Sequence, residues 1–346
     1  MSSSPSEAPQ HPTGKRIAVT QFMRRPVVHA YSVERIFEDA RKYMPSDCDV
    51  SLVNCKYPSL GIAGRVRDAW RARSFQGEAN HVTGDVHYLT YFLNRRRTVL
   101  TVHDCSPLTR KKGIARFLMW LLWYWLPLKR SALVTVVSIS GRSDLMANVR
   151  IDPSRIRLVP ATLSPAFTRA PATFNSARPR ILQVGTGWNK NLETVVAAIR
   201  DMSCTLAIVG PLSNVQRAML AASGIEYENM VGLSDAELVG QYKLADMLVF
   251  ASRYEGFGLP IVEANAVGRP VITSNISSMP EVAGNAACLV DPYDVKSVRA
   301  GIERIIADPA YRETLVGKGF DNAKRFLPET VAAQYAEIYR ELAASR

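Results

Sequence analysis

The chain has 346 residues, 47% of them hydrophobic and 21% charged, and a formal net charge of +12 at pH 7. It is longer than a typical single-core domain, so we expect two domains, and its composition is ordinary for a globular protein. The longest apolar run, residues 117–128, is shorter than the ~20 residues needed to cross a bilayer, which argues against a transmembrane protein.

The positive charge is concentrated in the first half of the chain. Residues 1–170 carry a net charge of +14, whereas residues 171–346 carry −2. A basic half indicates an anionic partner, and a membrane surface, a nucleic acid or an anionic glycan would fit.

The five cysteines are scattered and include no C-x-x-C pair. This pattern fits a reducing compartment and argues against a zinc site or a disulfide framework. No signal peptide is recognisable, and residues 1–13 are polar and rich in Pro and Ser, so we expect a disordered tail on a cytoplasmic protein.

In chain order, the first half alternates short apolar strands with helical segments. Strands are expected at residues 17–20, 50–54, 80–83, 97–102, 133–138 and 155–159, and helices at 33–42 and 142–148. His103 and Asp104 follow a strand directly, where side chains of a parallel sheet face the ligand crevice. A histidine there can orient an acceptor hydroxyl, although a hydrogen-bonded loop histidine occupies the same kind of position.

A proline-rich stretch at residues 160–179 separates the halves, and we place the linker at 166–179. The second half restarts with a strand at 180–184, which ends in Gly185-Thr186-Gly187 ahead of Asn189, Lys190 and a helix. Glycines let backbone amides approach an anion, and the helix start and Lys190 add positive charge. This loop is interpreted as a phosphate site, although many glycine turns between strand and helix are only structural.

Strands and helices continue to alternate to the C-terminus. Strands are expected at 205–209, 227–231, 247–250 and 271–273, and helices at 192–200, 214–222 and 235–244. This alternation predicts α/β architecture with two doubly wound parallel-sheet domains facing across a cleft, residues 14–165 and 180–346. The last helix is able to pack back on the first domain.

The strongest local signal is a pair of carboxylates, Glu255 and Glu263, separated by seven residues. Gly256 and Gly258 follow the first carboxylate, Pro260 suits the first turn of a helix, and Gly268 suits its end. Both carboxylates can then face the helix N-terminus, a position that suits a phosphate flanked by sugar hydroxyls. Two solvated glutamates on a surface helix are the alternative.

These motifs together resemble retaining glycosyltransferase family 4. The resemblance rests on residues 231–238, Tyr242, Ala245-Asp246, Ser252 and the Glu255–Glu263 block; it runs nearly continuously from 184 to 292, and more weakly through 101–104 and 137–142. It implies the GT-B fold, with two Rossmann-like domains, and a nucleotide-diphosphate sugar as donor.

The resemblance also implies roles for individual residues. Glu255 would hold donor-sugar hydroxyls, Glu263 the ribose diol, Lys190 the diphosphate, and His103 would lie beside the anomeric centre. We take His103 and Glu255 as catalytic, and the donor site as Gly185, Gly187, Asn189, Lys190, Val231, Gly256, Phe257, Gly258, Leu259 and Glu263.

Three departures from the family pattern concern the phosphate and acceptor sites. Asn189 stands where many members carry an arginine, Ala161-Thr162 replaces the usual Asn-Gly, and Gln21–Pro26 replaces a glycine-rich loop. The residues assigned to acceptor or phosphate contact are Arg24, Arg25, His87 and Asp104.

The basic half contains an aromatic run, residues 111–130, with three tryptophans between Lys111-Lys112 and Lys129-Arg130. Tryptophan and tyrosine favour membrane interfaces, and flanking cations favour an anionic leaflet. We expect peripheral membrane contact here, with a buried core helix as the alternative.

The resulting hypothesis is a retaining, metal-independent hexosyltransferase without a cofactor. It would transfer mannose, or next glucose, to a glycan or lipid-linked glycan in surface-polysaccharide assembly, at the inner face of the cell membrane. Asp47-Cys48-Asp49 fits a D-x-D metal pattern but is interpreted as a solvated turn before a strand.

Two other functions fit parts of the sequence. A nucleotide-sugar epimerase shares the two-domain architecture. A nucleic-acid-binding protein would explain the basic half, but its aromatic residues should be interleaved with basic ones rather than clustered.

Overall fold

The computed structural model describes residues 16–25, 32–59 and 61–345, and the N-terminal tail expected at residues 1–13 lies outside them. Two six-stranded parallel sheets form the framework. The predicted fold class of two doubly wound parallel-sheet domains is therefore confirmed.

The first sheet has the strand order β2-β1-β3-β4-β5-β6. Its strands are β1 (Ile17–Met23), β2 (Cys48–Asn54), β3 (Ala79–Val82), β4 (Thr98–Val102), β5 (Leu133–Val136) and β6 (Ile156–Leu158). Every residue of β3, β4 and β5 is buried, whereas β2 at the edge is largely exposed. Helices on both faces of a parallel sheet explain why the central strands read as continuous apolar and threonine runs.

Six α-helices lie on this sheet. They are α1 (Ser32–Lys42), α2 (Ile62–Ala72), α3 (Ser106–Thr109), α4 (Gly113–Met119), α5 (Leu126–Lys129) and α6 (Ile139–Asn148). A π-helical turn over Trp120–Trp125 joins α4 to α5 and makes them one continuous helical segment. Helix α2 is absent from the sequence-based predictions, and the residues that it buries are the small Ala69 and Ala72 together with Asp68.

The second sheet has the order β12-β11-β10-β7-β8-β9. Its strands are β7 (Arg180–Val184), β8 (Thr205–Val209), β9 (Glu226–Met230), β10 (Met247–Phe250), β11 (Val271–Ser274) and β12 (Cys288–Val290). The chain continues from β7 to β8 on one side of the sheet and from β10 to β11 on the other. The crevice between the carboxyl ends of β7 and β10 is therefore the topological switch point, where open α/β sheets bind ligands.

Seven helices cover the second sheet. They are α7 (Leu192–Ala198), α8 (Asn214–Ser223), α9 (Asp235–Leu244), α10 (Leu259–Val267), α11 (Met279–Ala283), α12 (Val295–Ala307) and α13 (Pro309–Lys324). Helix α10 has Pro260 in its first turn and ends at Gly268, whose φ is +88°, as the sequence predicts.

The C-terminal helix α14 (Pro328–Ala344) returns to the first sheet. The Tyr339 hydroxyl accepts a hydrogen bond from Gln21 Nε2 at 2.9 Å and shares one of 2.7 Å with His81 Nδ1. Burial lowers the pKa of His81 to about 3, so this ring is neutral. The end of the chain is thereby anchored to its first strands.

Candidate active site

The candidate site lies at the switch point of the second sheet. The loop after β7 carries Gly185 and Lys190, and the loop after β10 carries Glu255. Both loops face the first domain at the end of β4, where His103 follows the strand. The glycine loop and the Glu255 loop are thus brought together, as the spacing along the chain predicts.

Gly185 makes room for the lysine that the loop presents. Its φ is +88°, and a Cβ at this position would lie 2.8 Å from Cε of Lys190. The lysine chain therefore crosses directly over a glycine backbone, and its Nζ lies 2.7 Å from Oε1 of Glu255 and 4.5 Å from the ring centroid of Phe250. A larger residue at 185 would displace this ammonium group.

The Glu255 carboxylate has a second donor in the same loop pair. Asn189 Nδ2 donates to Glu255 Oε1 at 3.0 Å and to the Tyr254 carbonyl at 2.9 Å. Asn189, at the position where many family members have an arginine, thus positions the carboxylate rather than adding a charge.

Two serines after β11 fix the backbone of the Glu255 loop. Ser277 Oγ donates to the Glu255 carbonyl at 2.9 Å, and Ser278 Oγ donates to the Phe257 carbonyl at 2.6 Å. The loop is therefore held rigid from outside while Glu255 points into the crevice, its side chain 13% exposed. The sequence does not identify either serine, because each hydroxyl contacts backbone carbonyls of a different loop rather than a functional side chain.

Gly256 is one of the points where the two domains touch. A Cβ there would lie 2.5 Å from the His103 carbonyl oxygen and 3.2 Å from Cβ of Asp104. On the other side of the loop, Ser138 Oγ of the first domain donates to the Gly256 carbonyl at 2.7 Å. The absence of a side chain at Gly256 lets the Glu255 loop reach His103.

Glu263 lies on α10 and is buried, with only 4% of its surface exposed. Tyr242 donates its hydroxyl hydrogen to Oε2 at 2.6 Å, and Nη2 of Arg35 lies 3.2 Å from Oε1. Burial raises the pKa of Glu263, while the charge of Arg35 and the Tyr242 hydrogen bond oppose that rise. A carboxylate has about four lone-pair sites, so these partners leave acceptor capacity for a diol.

Arg35 is a component of this site that sequence reasoning missed. It belongs to α1 of the first domain and also contacts Asp235 at 2.5 Å across the cleft. The contact with Glu263 joins residues 228 positions apart in the chain. No local motif surrounds Arg35, so no signal in a single sequence identifies it.

The remaining donor-site candidates line the same mouth of the second sheet. Val231, 59% exposed, follows β9, and Leu259 opens α10. Gly187 lies in the loop after β7, followed by Trp188, whose ring centroid is 5.8 Å from the guanidinium carbon of Arg110 in the first domain. Phe257 is buried against Phe326, with ring centroids 5.4 Å apart, so its backbone, rather than its ring, faces the crevice.

His103 is oriented by its own domain. Its Nε2 lies 2.9 Å from the Thr83 carbonyl, which can only accept, so Nε2 carries a proton and Nδ1 is the ring atom left for another group. The neighbouring Asp104 accepts a hydrogen bond from Ser106 N at 2.8 Å at the start of α3, which makes part of its carboxylate structural.

Two residues assigned to acceptor or phosphate contact have other partners. His87 is 4% exposed, and its Nδ1 hydrogen bonds to the Trp123 carbonyl at 2.6 Å. The usual α-helical donor to that carbonyl would be the backbone nitrogen of Pro127, which carries no hydrogen. His87 therefore has a structural partner, which differs from the acceptor contact that the sequence predicts.

Arg24 also differs from its expected role as a free phosphate cation. Its Nε lies 2.6 Å from Glu34, with a second contact of 3.2 Å to Asp85, and Glu34 raises its pKa. Its charge is therefore largely neutralised. Arg25 is exposed beside the end of β1.

The D-x-D segment lies where the sequence predicts, since Asp47 is in the turn directly before β2 and its side chain is 42% exposed. Asp47 pairs with Arg340 of α14 at 2.7 Å, and Cys48 and Asp49 already belong to β2. The Arg340 hydrogen bond lowers the pKa of Asp47. Across the described ranges, no cluster of three or more His, Cys, Asp or Glu side chains is arranged to hold a metal.

Known proteins resemble this chain in sequence and in fold. A model of the glycosyl transferases group 1 matches residues 166–321, which contain the glycine loop, Glu255 and Glu263. The chain is 28% identical to the O-antigen chain mannosyltransferase B of Escherichia coli over 302 residues, or 80% of this chain and 77% of that protein. It is 29% identical to the MMP alpha-(1->4)-mannosyltransferase of Mycolicibacterium hassiacum over 226 residues, 61% of this chain and 54% of that one.

Solved structures show the same two-domain arrangement. Sucrose-phosphate synthase from Thermosynechococcus elongatus has a TM-score of 0.75 at 19% identity, covering 96% of this chain and all of that chain. Anabaena HepE in complex with UDP-glucose has a TM-score of 0.74 at 14% identity, covering 92% and 98%. Residues 166–321 therefore match the glycosyl transferases group 1, and the comparisons together identify the chain as a glycosyltransferase with the two-domain GT-B fold.

Proposed function

We propose that this chain is a retaining, metal-independent glycosyltransferase that transfers mannose from a nucleotide-diphosphate sugar to a glycan or lipid-linked glycan acceptor. The observation that carries the proposal is the convergence of Lys190, Glu255 and Glu263 on the mouth of the second sheet, in front of α10. Lys190 Nζ and Glu255 Oε1 are 2.7 Å apart, and the Lys190 charge also acts on the buried Glu263. A cation between two carboxylates suits a diphosphate flanked by two hydroxyl-bearing groups.

The chemistry assigned to these residues is positioning and charge stabilisation. Lys190 and the N-terminus of α10 would hold the diphosphate, Glu255 the sugar hydroxyls and Glu263 the ribose diol. The bond from the anomeric carbon to the diphosphate oxygen breaks, and a bond to the acceptor oxygen forms on the same face. The acceptor proton passes to the departing diphosphate, so no protein side chain becomes covalently attached.

The choice of mannose rests on the relatives, two of which are named as mannosyltransferases. The structural neighbour HepE is described with UDP-glucose, so glucose from a uridine donor is the second candidate. A surface-polysaccharide acceptor is inferred from the O-antigen relative. The place of action would be the inner face of the cell membrane, with peripheral contact through residues 111–130.

The function is tested by matching donors and following the products. A thermal-shift series with GDP and UDP ranks the bases, because a ligand at 100 times its dissociation constant stabilises by about 2.7 kcal/mol. Proton NMR of the product from GDP-mannose or UDP-glucose should show a retained anomeric configuration, also after chelation of divalent metal. Conversion of the donor without any acceptor would indicate an epimerase instead.

Glu263→Gln should keep the fold but weaken nucleoside-diphosphate binding by roughly 1.5–3 kcal/mol, because the hydroxyl pair loses a charged acceptor. Isothermal titration with the preferred nucleotide measures the change, with the melting temperature as a check on folding. Glu303→Gln is the matched control: it removes a carboxylate on α12 that is 52% exposed and pairs with Arg299 of the same helix. Unchanged nucleotide affinity in folded Glu263→Gln would contradict the ribose assignment.

A further inference from the structure

Helix α2 exposes a stripe of large apolar side chains. Ile62 is 79% exposed, Val66 52% and Trp70 55%, and these residues recur at every fourth position. Phe75, 44% exposed, extends the stripe beyond the helix. Such a row is usually buried in a globular protein, so α2 presents a face that the rest of the described structure does not cover.

A second exposed stripe runs along the continuous helical segment of residues 113–129, which comprises α4, the π-helical turn and α5 and is called the α4 segment below. Ile114 is 77% exposed, Phe117 55%, Leu118 47% and Leu122 46%. The tryptophans of this segment are only half-exposed and pack against the core of the first domain, with Tyr124 and Leu128 fully inside. Aliphatic side chains and Phe117, rather than the tryptophans, form the outer face.

The two stripes lie on neighbouring parts of one surface. The guanidinium carbon of Arg65 on α2 is 4.9 Å from the ring centroid of Trp123, and Tyr91 donates its hydroxyl hydrogen to the Leu122 carbonyl. Trp70 contacts Phe92 edge to face, with centroids 5.5 Å apart. Residues 87–92 thus connect α2 to the α4 segment.

The two helical segments that carry the stripes are basic. Residues 105–143 contain seven Lys or Arg and no Asp or Glu. The only acid on α2, Asp68, is 2% exposed and accepts hydrogen bonds from Lys56 N and Tyr57 N at 2.9 and 3.0 Å, so it points inward. Arg73 lies over the Trp70 ring at 4.2 Å, which holds its charge at the level of the apolar side chains.

We infer that α2 and the α4 segment together form a two-helix surface that docks on an anionic lipid bilayer, with α2 as a contact separate from residues 111–130. Basic side chains lie at the same height as exposed aliphatic and tryptophan side chains on this surface. The basic groups would contact the anionic headgroups, and the apolar side chains would enter the boundary between headgroups and acyl chains. Nucleic acid is disfavoured, because Ile62, Val66 and Ile114 cannot stack on bases.

The docked surface would adjoin the cleft. Tyr124, at the core of the α4 segment, donates its hydroxyl hydrogen to the Asp104 carbonyl at 3.1 Å, and Asp104 follows His103. A bilayer bound at this surface therefore lies beside the first-domain wall of the crevice, which suits a lipid-linked acceptor under the proposed function.

The test uses co-sedimentation of the full chain with phosphatidylcholine vesicles, with and without phosphatidylglycerol. The wild type should bind only the anionic vesicles, and less at high salt, since surface charges are screened over about 8 Å at physiological ionic strength. The α2 variant Ile62→Ser/Val66→Ser/Trp70→Ser should bind at least tenfold more weakly. A second variant, Arg67→Gln/Arg73→Gln, removes exposed charges, keeps every apolar residue of the stripe, and should also bind the anionic vesicles more weakly.

The matched control is Val215→Ser/Leu244→Ser. It removes two apolar side chains of the second domain that are 79% and 66% exposed, and it should bind vesicles as the wild type does. If the α2 variants bind like the wild type while Ile114→Ser/Leu118→Ser does not, contact through residues 111–130 stands and the α2 inference is overturned. Wild-type chain that ignores all vesicles but self-associates through α2 would assign the surface to a protein partner and also overturn it.

A separate observation concerns Arg35, and this second inference rests on the proposed ribose role of Glu263. Arg35 Nη2 lies 3.2 Å from the buried Glu263 carboxylate and Nη1 lies 2.5 Å from Asp235, both in the opposite domain. The Arg35 side chain is itself only 16% exposed. We propose that Arg35 is a positioning residue, which keeps the ribose-binding carboxylate ionised and couples closure of the cleft to nucleotide binding.

The groups that act on Glu263 come from three elements. Arg35 lies on α1, Tyr242 and Asp235 on α9, and Lys190 in the loop after β7. Burial raises the Glu263 pKa, and Arg35 is the first of the groups that oppose the rise. Without Arg35 the pKa should rise further, so the protonated form, a poorer acceptor for a diol, would appear at a higher pH.

The experiment is isothermal titration of the preferred nucleoside diphosphate over a pH series from acidic to neutral. The loss of affinity on acidification, up to tenfold per pH unit, should begin at a higher pH in Arg35→Gln than in the wild type. Arg35→Lys, which keeps the charge, should restore the wild-type profile. Glu263→Gln should bind weakly without this pH dependence.

The outcomes separate the two proposals. Equal pH profiles for Arg35→Gln and wild type would overturn the Arg35 role while leaving the Glu263 assignment intact. Full affinity in Glu263→Gln would overturn the ribose assignment itself and, with it, the function of Arg35 proposed on that basis.

Discussion

Lys190→Ala should lower turnover by about 10²–10³-fold while leaving the melting temperature nearly unchanged, a loss typical of removing one preorganised charge-stabilising group. Lys190 Nζ is 2.7 Å from Glu255, and the neighbouring Asn189 is uncharged and donates to the same carboxylate at 3.0 Å. The diphosphate charge that develops as the sugar departs would therefore depend heavily on this ammonium group. Single-turnover rates with saturating donor measure the effect.

Two variants make this result interpretable. Lys190→Arg keeps the charge and should retain part of the activity, although its planar fork does not reproduce the position of Nζ. Lys243→Ala removes an exposed cation in the last turn of α9 and should have no effect. Wild-type turnover in Lys190→Ala would remove the diphosphate role from the glycine loop.

His103→Ala should lower turnover by about 10²-fold with little change in donor affinity, because misplacement of a reacting group by ~1 Å can cost that much. His103 lies on the first domain, and its Nε2 is held by the Thr83 carbonyl at 2.9 Å, which leaves Nδ1 to meet the acceptor or the donor sugar. The backbone contact with Gly256 does not involve the ring, so the domain interface should persist. Donor dissociation constants and turnover are measured on the same preparation.

His81→Ala is an unsuitable control, because His81 is buried between Tyr339 and Thr101 and its loss should destabilise the fold. His103→Asn is better, since its amide keeps a donor while the aromatic ring is lost. If His103→Ala transfers sugar at the wild-type rate, the histidine has only the structural role of its Thr83 contact. Equal losses of turnover and donor affinity would place it in the donor site.

The sequence alone determined the features that lie close together along the chain. The alternation of strands and helices specified two parallel-sheet domains, and the spacing of Glu255, Gly256, Pro260 and Glu263 specified a loop opening a helix at a strand end. The strand that ends at Val184 placed the loop with Gly185 and Lys190 at the same edge of the sheet. These predictions succeed because a strand–loop–helix unit sets its own geometry within some twenty residues.

Only the tertiary structure decided the contacts between distant segments. Arg35 meets Glu263 because α1 of one domain closes on α10 of the other. His87 has a structural partner because Pro127 cannot donate to the Trp123 carbonyl, and Arg24 pairs with Glu34. The exposed stripe on α2 is defined by which face the first sheet covers. In each case residue type and local spacing are compatible with several environments, and packing of segments far apart in the chain selects one.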